Sequence, residues 1–441
     1  MTFRTTLAIL LAATVLGGCS LFEKNGSDAT PTLGDRKSIL TTESDLELDP
    51  ALASVAVTLP AETANTEWSQ DGGNASKVLG HVALSANLTP AWSARIAGSS
   101  TRVRLAAPPV IADGKLFVID TAARVHAFDA ATGAAIWASS LAGDDRDVRS
   151  ALFGGGVSVA GGRVFATTGA GDIASLDAAT GGLVWKVRPA GPLRGSPTLA
   201  NGNIYVMTQD NQLLALKDSD GTIAWQEAGA VEPGSVFGVA APAAGQGTIV
   251  AGYSSGEINA YRYENGRNLW SDALARTSIS IQVAPLTDVD ADPVIDRGRV
   301  YALGKGGRMA AYELVTGQRL WELNIAGVST PWVAGEWVYV VTDADQLLAI
   351  ARTTGKLRWI SQLPSYRDPE DKKGQISWTG PVLAGNRLIV VNTIGQMAQI
   401  SPTDGSIIAT TDVGQPLSLS PVVANNTLYL LDNSGRITAW R

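Results

Sequence analysis

The residues that could do chemistry in this sequence are few. The chain of 441 residues contains one cysteine, Cys19, and two histidines, His81 and His126, which are far apart in sequence. This is little material for a zinc site or for a nucleophile–histidine pair. His126 also falls at a repeat position that elsewhere holds other residue types, so the position does not require histidine. These counts argue against a zinc enzyme or a hydrolase with a catalytic triad.

A group of carboxylates in the stretch DVDADP, which begins at Asp288, invites a calcium interpretation. A calcium loop of the EF-hand type starting there would need glycine at its sixth position and glutamate at its twelfth. The chain has Pro293 and Arg299 at those two places. We therefore expect no metal site here, and a solvated acidic loop is the simplest interpretation.

Two further motifs are discounted because of their surroundings. GYSSG at 252–256 satisfies the pattern of a serine nucleophile elbow, which needs a strand followed by a helix. GAGDIA at 169–174 looks like part of a dinucleotide-binding loop, which must open a helix. Both lie between β-rich runs of the repeat described next, so we expect both to be hairpin loops.

The elements that would position any site are set by a repeat of the form D-A-A-T-G-x-x-x-W. DAATGAAIW begins at residue 129, and DAATGGLVW begins at residue 177. Each copy also contains a proline, an apolar tetrad, two turn signals and an alanine-containing run, which predicts four short strands. In six copies a tryptophan follows a glycine by four residues; the pairs are Gly133/Trp137, Gly181/Trp185, Gly221/Trp225, Gly266/Trp270, Gly317/Trp321 and Gly355/Trp359.

The last two copies differ from the others. The seventh, starting at Pro381, keeps Gly405 but has Ala409 where the tryptophan belongs. The eighth stops at Arg441 after its third strand, whereas the stretch LTPAWSARI, which contains Trp92, precedes the first copy without a copy of its own. The fragments at the two ends are therefore complementary.

Four-stranded units that repeat at this length are typical of a β-propeller. We predict an all-β fold, an eight-bladed β-propeller of four-stranded blades. The N-terminal strand around Trp92 is expected to complete the last blade, which leaves no unpaired sheet edge at the seam. The repeat tryptophans, including Trp92, are expected to be packing anchors of the blades. An open solenoid is the alternative that these complementary ends disfavour.

The first residues have the features of a secretory signal. Arg4 supplies a positive charge, and the apolar run from Leu7 to Leu16 is too short to cross a bilayer, which needs roughly 20 residues. The run ends in LGGC, which resembles the lipobox of bacterial lipoprotein precursors. This predicts a signal peptide over 1–18 and a lipid anchor on Cys19, and Ser20 favours the outer membrane. The alternative is an ordinary signal peptide with a free thiol.

Composition separates the rest of the chain into two regions. Residues 19–65 are polar and acidic with scattered proline and glycine, which predicts a flexible, lipid-anchored tether. Residues 66–441 carry the repeats and are assigned to the propeller. The formal net charge is −7, with 34 basic and 41 acidic residues and no basic cluster, so nucleic acid is a poor candidate partner.

The A-x-D-x-x-T-G-x-x-x-W phrase resembles the repeat of quinoprotein dehydrogenases, and also that of the BamB family of lipoproteins from the outer-membrane β-barrel assembly (BAM) complex. The likeness covers roughly residues 66–441. The lipobox, the eight copies after a short tether and the segment LTDVDADPV at 286–294 favour the BamB family. Many quinoprotein enzymes also have a vicinal disulfide, which a chain with a single cysteine cannot form.

The BamB resemblance implies docking onto the periplasmic POTRA domains of BamA. Two acidic residues help this docking in the family, and they match Asp288 and Asp290 here. A second family contact, a Leu-Arg-Gly segment, has Phe237 in place of its arginine, so Val236 and Phe237 are interface candidates or, equally, loop packing residues. The similar PLRGSP stretch lies one blade too early, so the role is not assigned to Arg194.

The resemblance therefore predicts a non-catalytic periplasmic scaffold without a cofactor, anchored in the outer membrane, that binds BamA and assists insertion of outer-membrane proteins. Replacing Asp288 and Asp290 with lysine is expected to release BamA without unfolding the protein. Unfolded outer-membrane proteins are a second expected partner, bound along the outer blade edges by β-augmentation. The alternative is a quinone-dependent (PQQ-type) dehydrogenase or a degenerate relative. A propeller that binds cell-wall glycan has only the compartment in its favour.

Overall fold

The computed structural model of this chain describes residues 46–143, 154–230, 238, 240–274 and 288–441. The predicted signal peptide, Cys19, Val236 and Phe237 lie outside these ranges. Among the described residues, no helix has the length and apolarity that crossing a bilayer requires. The description below concerns these ranges only.

Eight four-stranded antiparallel sheets form the body of the protein, which confirms the predicted eight-bladed β-propeller. In seven sheets the four strands are consecutive in the chain, and each pairs with the strand before it. First strands of successive sheets contact one another, so they lie innermost around the ring axis. We number the sheets as blades 1 to 8 in the order of their first strands.

The first four blades contain strands β2 to β17. Blade 1 is β2 Val110–Ala112, β3 Lys115–Ile119, β4 Arg124–Asp129 and β5 Ala135–Ser140, and blade 2 is β6 Val157–Ala160, β7 Arg163–Thr167, β8 Ile173–Asp177 and β9 Leu183–Val187. Blade 3 is β10 Thr198–Ala200, β11 Asn203–Met207, β12 Gln212–Lys217 and β13 Ile223–Ala228, and blade 4 is β14 Ala243–Gly245, β15 Thr248–Gly252, β16 Glu257–Arg262 and β17 Asn268–Ala273.

The other four blades contain the remaining strands, apart from one extra hairpin after blade 6, β26 Tyr366–Asp368 and β27 Lys373–Gln375. Blade 5 is β18 Val294–Asp296, β19 Arg299–Gly304, β20 Arg308–Glu313 and β21 Arg319–Leu323, and blade 6 is β22 Trp332–Ala334, β23 Trp337–Val341, β24 Gln346–Ala351 and β25 Leu357–Gln362. Blade 7 is β28 Trp378–Ala384, β29 Arg387–Asn392, β30 Gln396–Ile400 and β31 Ile407–Asp412, and blade 8 is β32 Val422–Ala424, β33 Thr427–Leu431, β34 Arg436–Trp440 and β1 Pro90–Arg95.

The ring closes as the sequence predicted. β1 pairs antiparallel with β34, and Trp92 lies opposite Ala439. Beyond the strands, the N–H of Thr89 donates to the carbonyl of Arg441 at 2.7 Å, and the reverse bond measures 2.9 Å. The N-terminal strand thus supplies the fourth strand of blade 8, and no sheet edge is left open at the seam.

Burial changes from the axis to the rim of each blade. The second and third strands, such as β15 and β24, are almost entirely buried, because both of their faces lie against neighbouring blades. The fourth strands alternate between exposed and more buried residues, as in β13 and β17. Burial on both faces requires the continuous apolar runs of the inner strands, and burial on one face requires the alternating runs at the rim.

Each repeat tryptophan joins its blade to the following blade. Its ring lies over the glycine of the following D-x-x-T-G turn, where a Cβ atom would crowd or overlap the indole. Its Nε1 donates to a backbone carbonyl of that same turn. The seven bonds are Trp92 to Ala130 (3.2 Å), Trp137 to Ala178 (3.2 Å), Trp185 to Asp218 (3.2 Å), Trp225 to Tyr263 (2.9 Å), Trp270 to Leu314 (2.8 Å), Trp321 to Arg352 (2.9 Å) and Trp359 to Pro402 (3.0 Å).

The joint between blades 7 and 8 is the exception, and it explains Ala409. In blade 8 the third and fourth strands, β34 and β1, are not consecutive in the chain, so no glycine turn joins them. A tryptophan on β31 would have no turn to cover. Ala409 occupies the register position that the repeat tryptophans hold, and it is exposed.

Residues at the C-terminal end of the predicted tether contact the propeller. Residues 46–65 were assigned to the tether, yet they lie against the propeller, where Leu48 forms a parallel bridge with Leu357 of β25. Asp49 adds an ion pair with Lys356, and its pKa is lowered by that hydrogen bond. A short 3-10 helix, Pro50–Leu52, follows. Backbone pairing and an ion pair hold residues 48–49 to the rim of blade 6, so the described body of the protein includes part of the predicted tether.

The tryptophan–glycine joint can be tested with two glycines that share a positive φ. Gly317 has φ +70° and faces Trp270, whereas Gly298 has φ +74° and has no atom within 4 Å of its would-be Cβ. Both alanine variants incur the backbone strain, but only Gly317→Ala also displaces an indole. We expect Gly317→Ala to lower the free energy of unfolding by about 1–3 kcal/mol more than Gly298→Ala. Denaturant titration measures this, and equal losses would contradict the joint.

Candidate functional site

A cavity of about 330 Å³ lies where the connections of several blades converge on the ring axis. It is lined by residues that precede or begin the first strands of blades on opposite sides of the ring, including Arg104 of blade 1 and Asp290 of blade 5. Asp71, from the segment before β1, also lines it. Because these lining residues come from opposite sides of the ring, the cavity lies at one end of the central channel. The inter-blade connections at that end can present side chains to a partner.

The acidic stretch 288–292 is held at this cavity by backbone bonds to two neighbouring blades. The N–H of Val289 donates to the carbonyl of Tyr253 in blade 4 at 3.1 Å. The N–H of Lys305 donates to the carbonyl of Asp288 at 2.8 Å. The side chain of Val289 fills the space beside Gly252, where a Cβ would collide with it. The stretch is therefore an ordered part of the channel wall.

The two carboxylates predicted to dock a partner have different surroundings. Asp288 is fully buried, with 0% of its surface exposed, so its side chain cannot meet a partner in this conformation. Asp290 is partly exposed and lines the cavity, and its Oδ1 has no hydrogen-bond partner within the described residues. Of the two predicted docking residues, only Asp290 can contact another molecule in this conformation. The docking prediction therefore rests on Asp290 alone.

Burial makes the ionised form of Asp290 costly. It raises the pKa of this carboxyl to about 6, and the like charge of Asp288 adds to the shift. Lys305 and Arg194 oppose it more weakly. Near neutral pH the protein thus holds an ionised carboxylate that is short of hydrogen-bond donors, and an incoming cation or donor would stabilise it.

Asp292, the third carboxylate of the stretch, is buried and paired. Its Oδ1 accepts a hydrogen bond from the N–H of Ala241 at 2.7 Å, and its Oδ2 lies 3.4 Å from the Nζ of Lys77. Lys77 also donates to the carbonyl of Asp71 at 2.8 Å. Burial raises the pKa of Asp292, while Lys77 acts to lower it. Asp292 therefore ties blade 5 to the segment before β1.

Arg194 is the functional candidate that sequence reasoning missed. It is fully buried, and its guanidinium donates to the carbonyl of Thr208 at 3.0 Å and to the side chain of Asn211. Burial lowers the pKa of Arg194, while the charges of Asp290 and Asp288 raise it. These charges act on one another although Arg194 precedes blade 3 and the acidic stretch precedes blade 5. Arg194 thus partly compensates the acidic stretch, although it lies on an earlier connection than the family's arginine. Only the convergence of inter-blade connections on one axis could have indicated this.

Gly238 is required by the position of Asp290. A Cβ at Gly238 would overlap the Asp290 carboxylate. Glycine is therefore the residue that allows the connection before blade 4 to approach Asp290 so closely. Gly238 belongs to the segment that matched the family's Leu-Arg-Gly contact, whose other candidates, Val236 and Phe237, lie outside the described residues.

The cavity does not suit a quinone cofactor of the PQQ type. Such a cofactor carries several carboxylates, and among the described lining residues Asp71, Asp290 and Asp292 stand against one cation, Arg104. Like charges at this range would oppose its binding. Across the described ranges no group of three or more His, Cys, Asp and Glu side chains could hold a metal ion.

The pKa of Asp290 predicts a pH-dependent effect on stability. Its folded pKa of about 6 exceeds the usual 3.8, so the folded state keeps this proton between those pH values while the unfolded state loses it. Stability from this group is therefore lost as pH rises through 6. Asp290→Asn should raise the free energy of unfolding by on the order of 1–3 kcal/mol at pH 7.5, and by much less at pH 4.5.

Thermal unfolding at the two pH values measures this difference. Glu370→Gln, which removes one charge from an exposed turn, is the matched control and should change the midpoint little at either pH. A stabilisation by Asp290→Asn that is the same at both pH values would show that charge burial is not its cause.

Comparison with known proteins adds to this geometry. The family model described as outer membrane protein assembly factor BamB matches residues 54–154 and 121–361. A relative of that name from Yersinia pestis is 27% identical over 329 residues, which cover 74% of this chain and 81% of the relative.

Solved structures agree on the fold. BamB from Moraxella catarrhalis superposes with a TM-score of 0.68 at 22% identity, covering 80% of this chain and 100% of that chain. A europium-containing methanol dehydrogenase gives a TM-score of 0.67 at 13% identity, covering 83% and 89%. At these identities the likeness concerns the propeller alone. The family match spans most of the described chain, and the chain belongs to the BamB family of outer membrane protein assembly factors.

Proposed function

We propose that this protein is a non-catalytic scaffold of outer-membrane protein assembly that docks the periplasmic POTRA domains of BamA at its acidic channel mouth. The observation that carries the proposal is Asp290, a partly exposed, ionisable carboxylate that lines the cavity and whose buried Oδ1 has no hydrogen-bond partner among the described residues. A lipid on Cys19 would hold the scaffold at the periplasmic face of the outer membrane. The relatives named as assembly factors support the general role.

The chemistry of the site favours a basic group as the docking ligand. Burial and the charge of Asp288 destabilise the ionised form of Asp290 in the free protein, so an arginine or lysine entering the cavity would supply a compensating positive charge. Asp71 on the cavity wall adds to the negative field. Complementary charges of this kind speed encounter and orient the partner, and their effect weakens with salt.

Two features fix this acidic wall for docking. Asp288 is buried beneath it and raises the pKa of Asp290, so it tunes the exposed carboxylate without meeting the partner. Gly238 leaves room for the Asp290 side chain. A lysine in place of Asp288 would bury a positive charge and destabilise the fold. A loss of binding in the double charge-reversal variant would therefore not distinguish lost docking from unfolding.

Asp290→Asn is the better test, because it removes the charge while keeping size and should not lower stability. We expect its affinity for the BamA POTRA domains to fall at least about tenfold. Affinity of the parent protein should also fall as pH drops below 6, because Asp290 must ionise to pair, and the variant should lack this pH dependence. Titration by calorimetry or interferometry measures both effects.

Glu370→Gln serves as the control for this titration as well, since its exposed charge lies in the extra hairpin between blades 6 and 7. It should bind like the parent protein. If Asp290→Asn binds as tightly as the parent at pH 7.5, the channel mouth is not the docking site.

A second candidate function has its own observation. The outermost strands expose large apolar residues next to unpaired backbone edges, as at Leu183 (58% exposed) in β9 and Ile408 (57%) in β31. An unfolded outer-membrane strand could add to such an edge by β-augmentation. β31 is the strongest site, because four successive residues, 407–410, are exposed where the tryptophan is absent.

Ile408→Lys should weaken binding of an extended peptide from an outer-membrane β-strand several-fold, because a charge on an edge strand discourages pairing. Val315→Lys is the control, since Val315 is 70% exposed but lies in a turn. Fluorescence anisotropy of the labelled peptide measures both variants. Equal losses would point to nonspecific hydrophobic contact and not to strand addition.

A further inference from the structure

The segment before β1 follows a path that the repeat does not predict. Residues 65–82, here called the strap, run around the inside of the ring and meet all eight blades in the order 8, 1, 2, 3, 4, 5, 6, 7. Each blade donates at least one hydrogen bond of 2.7–3.0 Å to the strap. The bonds run from Asn425 N to Asn65 O, Ile111 N to Trp68 O, Val159 N to Ser69 O, Leu199 N to Gln70 Oε1, Ala244 N to Ala75 O, Ile295 N to Ser76 O, Trp332 Nε1 to Gly80 O and Gly385 N to Val82 O.

Several strap residues also donate in return. The N–H of Trp68 donates to the carbonyl of Ile111 at 2.8 Å, which makes a two-way bridge with blade 1. The Gln70 side chain donates to the carbonyl of Leu199 at 3.0 Å and so imitates a strand partner for blade 3. First strands at the axis would otherwise leave backbone groups of their inner edge unpaired. The strap accepts from a backbone N–H of seven blades and from the Trp332 indole of blade 6.

Trp68 fills the space inside the strap. Its backbone pairs with blade 1, while its ring stacks on Trp332 of blade 6 with ring centroids 6.1 Å apart. It is 2% exposed and belongs to the same apolar cluster as the first strands of blades 1, 6, 7 and 8. One indole thus spans the channel between blades that are not neighbours.

Local geometry bends the strap into this path. Gly73 has φ +94°, and a Cβ there would overlap the side chain of Leu79. Lys77 adopts φ 65°, a strained value for a lysine, and is held by its bonds to Asp71 and Asp292. Gly80 also has a positive φ, +68°, but no atom lies within 4 Å of its would-be Cβ. The bend at Gly73 therefore depends on glycine for space as well as for backbone conformation.

We propose that the strap is a second closure of the ring, which fixes the spacing of the eight blades and seals one end of the central channel. The acidic cavity is then closed at its inner end, because the strap, through Asp71, forms part of its wall. This role follows from contacts within the chain, so it stands independently of docking to BamA.

The proposal is tested by hydrogen exchange in two variants of the full-length protein, Gly73→Ala and Gly80→Ala. Both carry the strain of alanine at positive φ, but only Gly73→Ala forces the bend open. In Gly73→Ala we expect amide exchange to quicken at least about tenfold at Ile111, Val159, Ala244 and Ile295, which lie on both sides of the bend. Gly80→Ala should leave these amides nearly unchanged.

If the strap acts as one unit, the blade amides at all of its contacts lose their protection from exchange together. Faster exchange confined to the strap itself, or to the one blade nearest Gly73, would overturn the proposal. Amides of third strands, such as those of β12 and β24, report on unfolding of the whole protein. They should keep their protection in both variants.

A cleavage experiment covers the case in which Gly73→Ala does not fold. A sequence-specific protease site inserted between Ala86 and Asn87, which are exposed, cuts the link between the strap and β1. We expect the cut N-terminal fragment to stay bound during gel filtration, or to leave with loss of amide protection in all blades. Departure of the fragment with protection and thermal midpoint unchanged would show that the strap closes nothing.

Discussion

Every blade of this ring buries both of its faces only because a neighbour stands on each side. The pairing of β1 with β34 provides that neighbour for the blade formed from both ends of the repeat region. The same arrangement determines where a joint can be built: each tryptophan covers a glycine turn of the following blade, and blade 8 has no such turn. Blade 8 lacks this turn because its third and fourth strands come from opposite ends of the repeat region. Ala409 therefore stands in place of a tryptophan, and β31 is left exposed.

Closure also shapes the electrostatics of the channel mouth. Connections from blades that are distant in sequence converge on one axis, so Asp288, Asp290 and Arg194 act on one another inside a poorly solvated space. Burial works against every one of these charges, and only Asp290 combines that burial with access to the cavity. A site that is costly in the free protein and relieved by a partner is typical of groups kept for binding and not for stability.

The sequence allowed prediction of whatever the repeat encodes. Blade number, strand order and the role of Trp92 follow from spacing alone, because identical local patterns fold into identical units. The burial of Asp288 and the proximity of Arg194 did not follow, since both depend on how different blades approach the axis. The strap was also missed. It has no repeat counterpart, and its contacts are mostly backbone hydrogen bonds, which side-chain patterns do not reveal.

The path of the strap has a mechanical consequence. A force pulling on the described chain from its N-terminal end meets the contacts of residues 48–55 with the rim, then the strap bonds, and only afterwards β1. These bonds lie one behind another along the chain, so they would break in sequence and dissipate work step by step. β1, the strand that completes the circle, would carry no load until the strap had detached. Forces too small to detach the strap would therefore leave the ring closed.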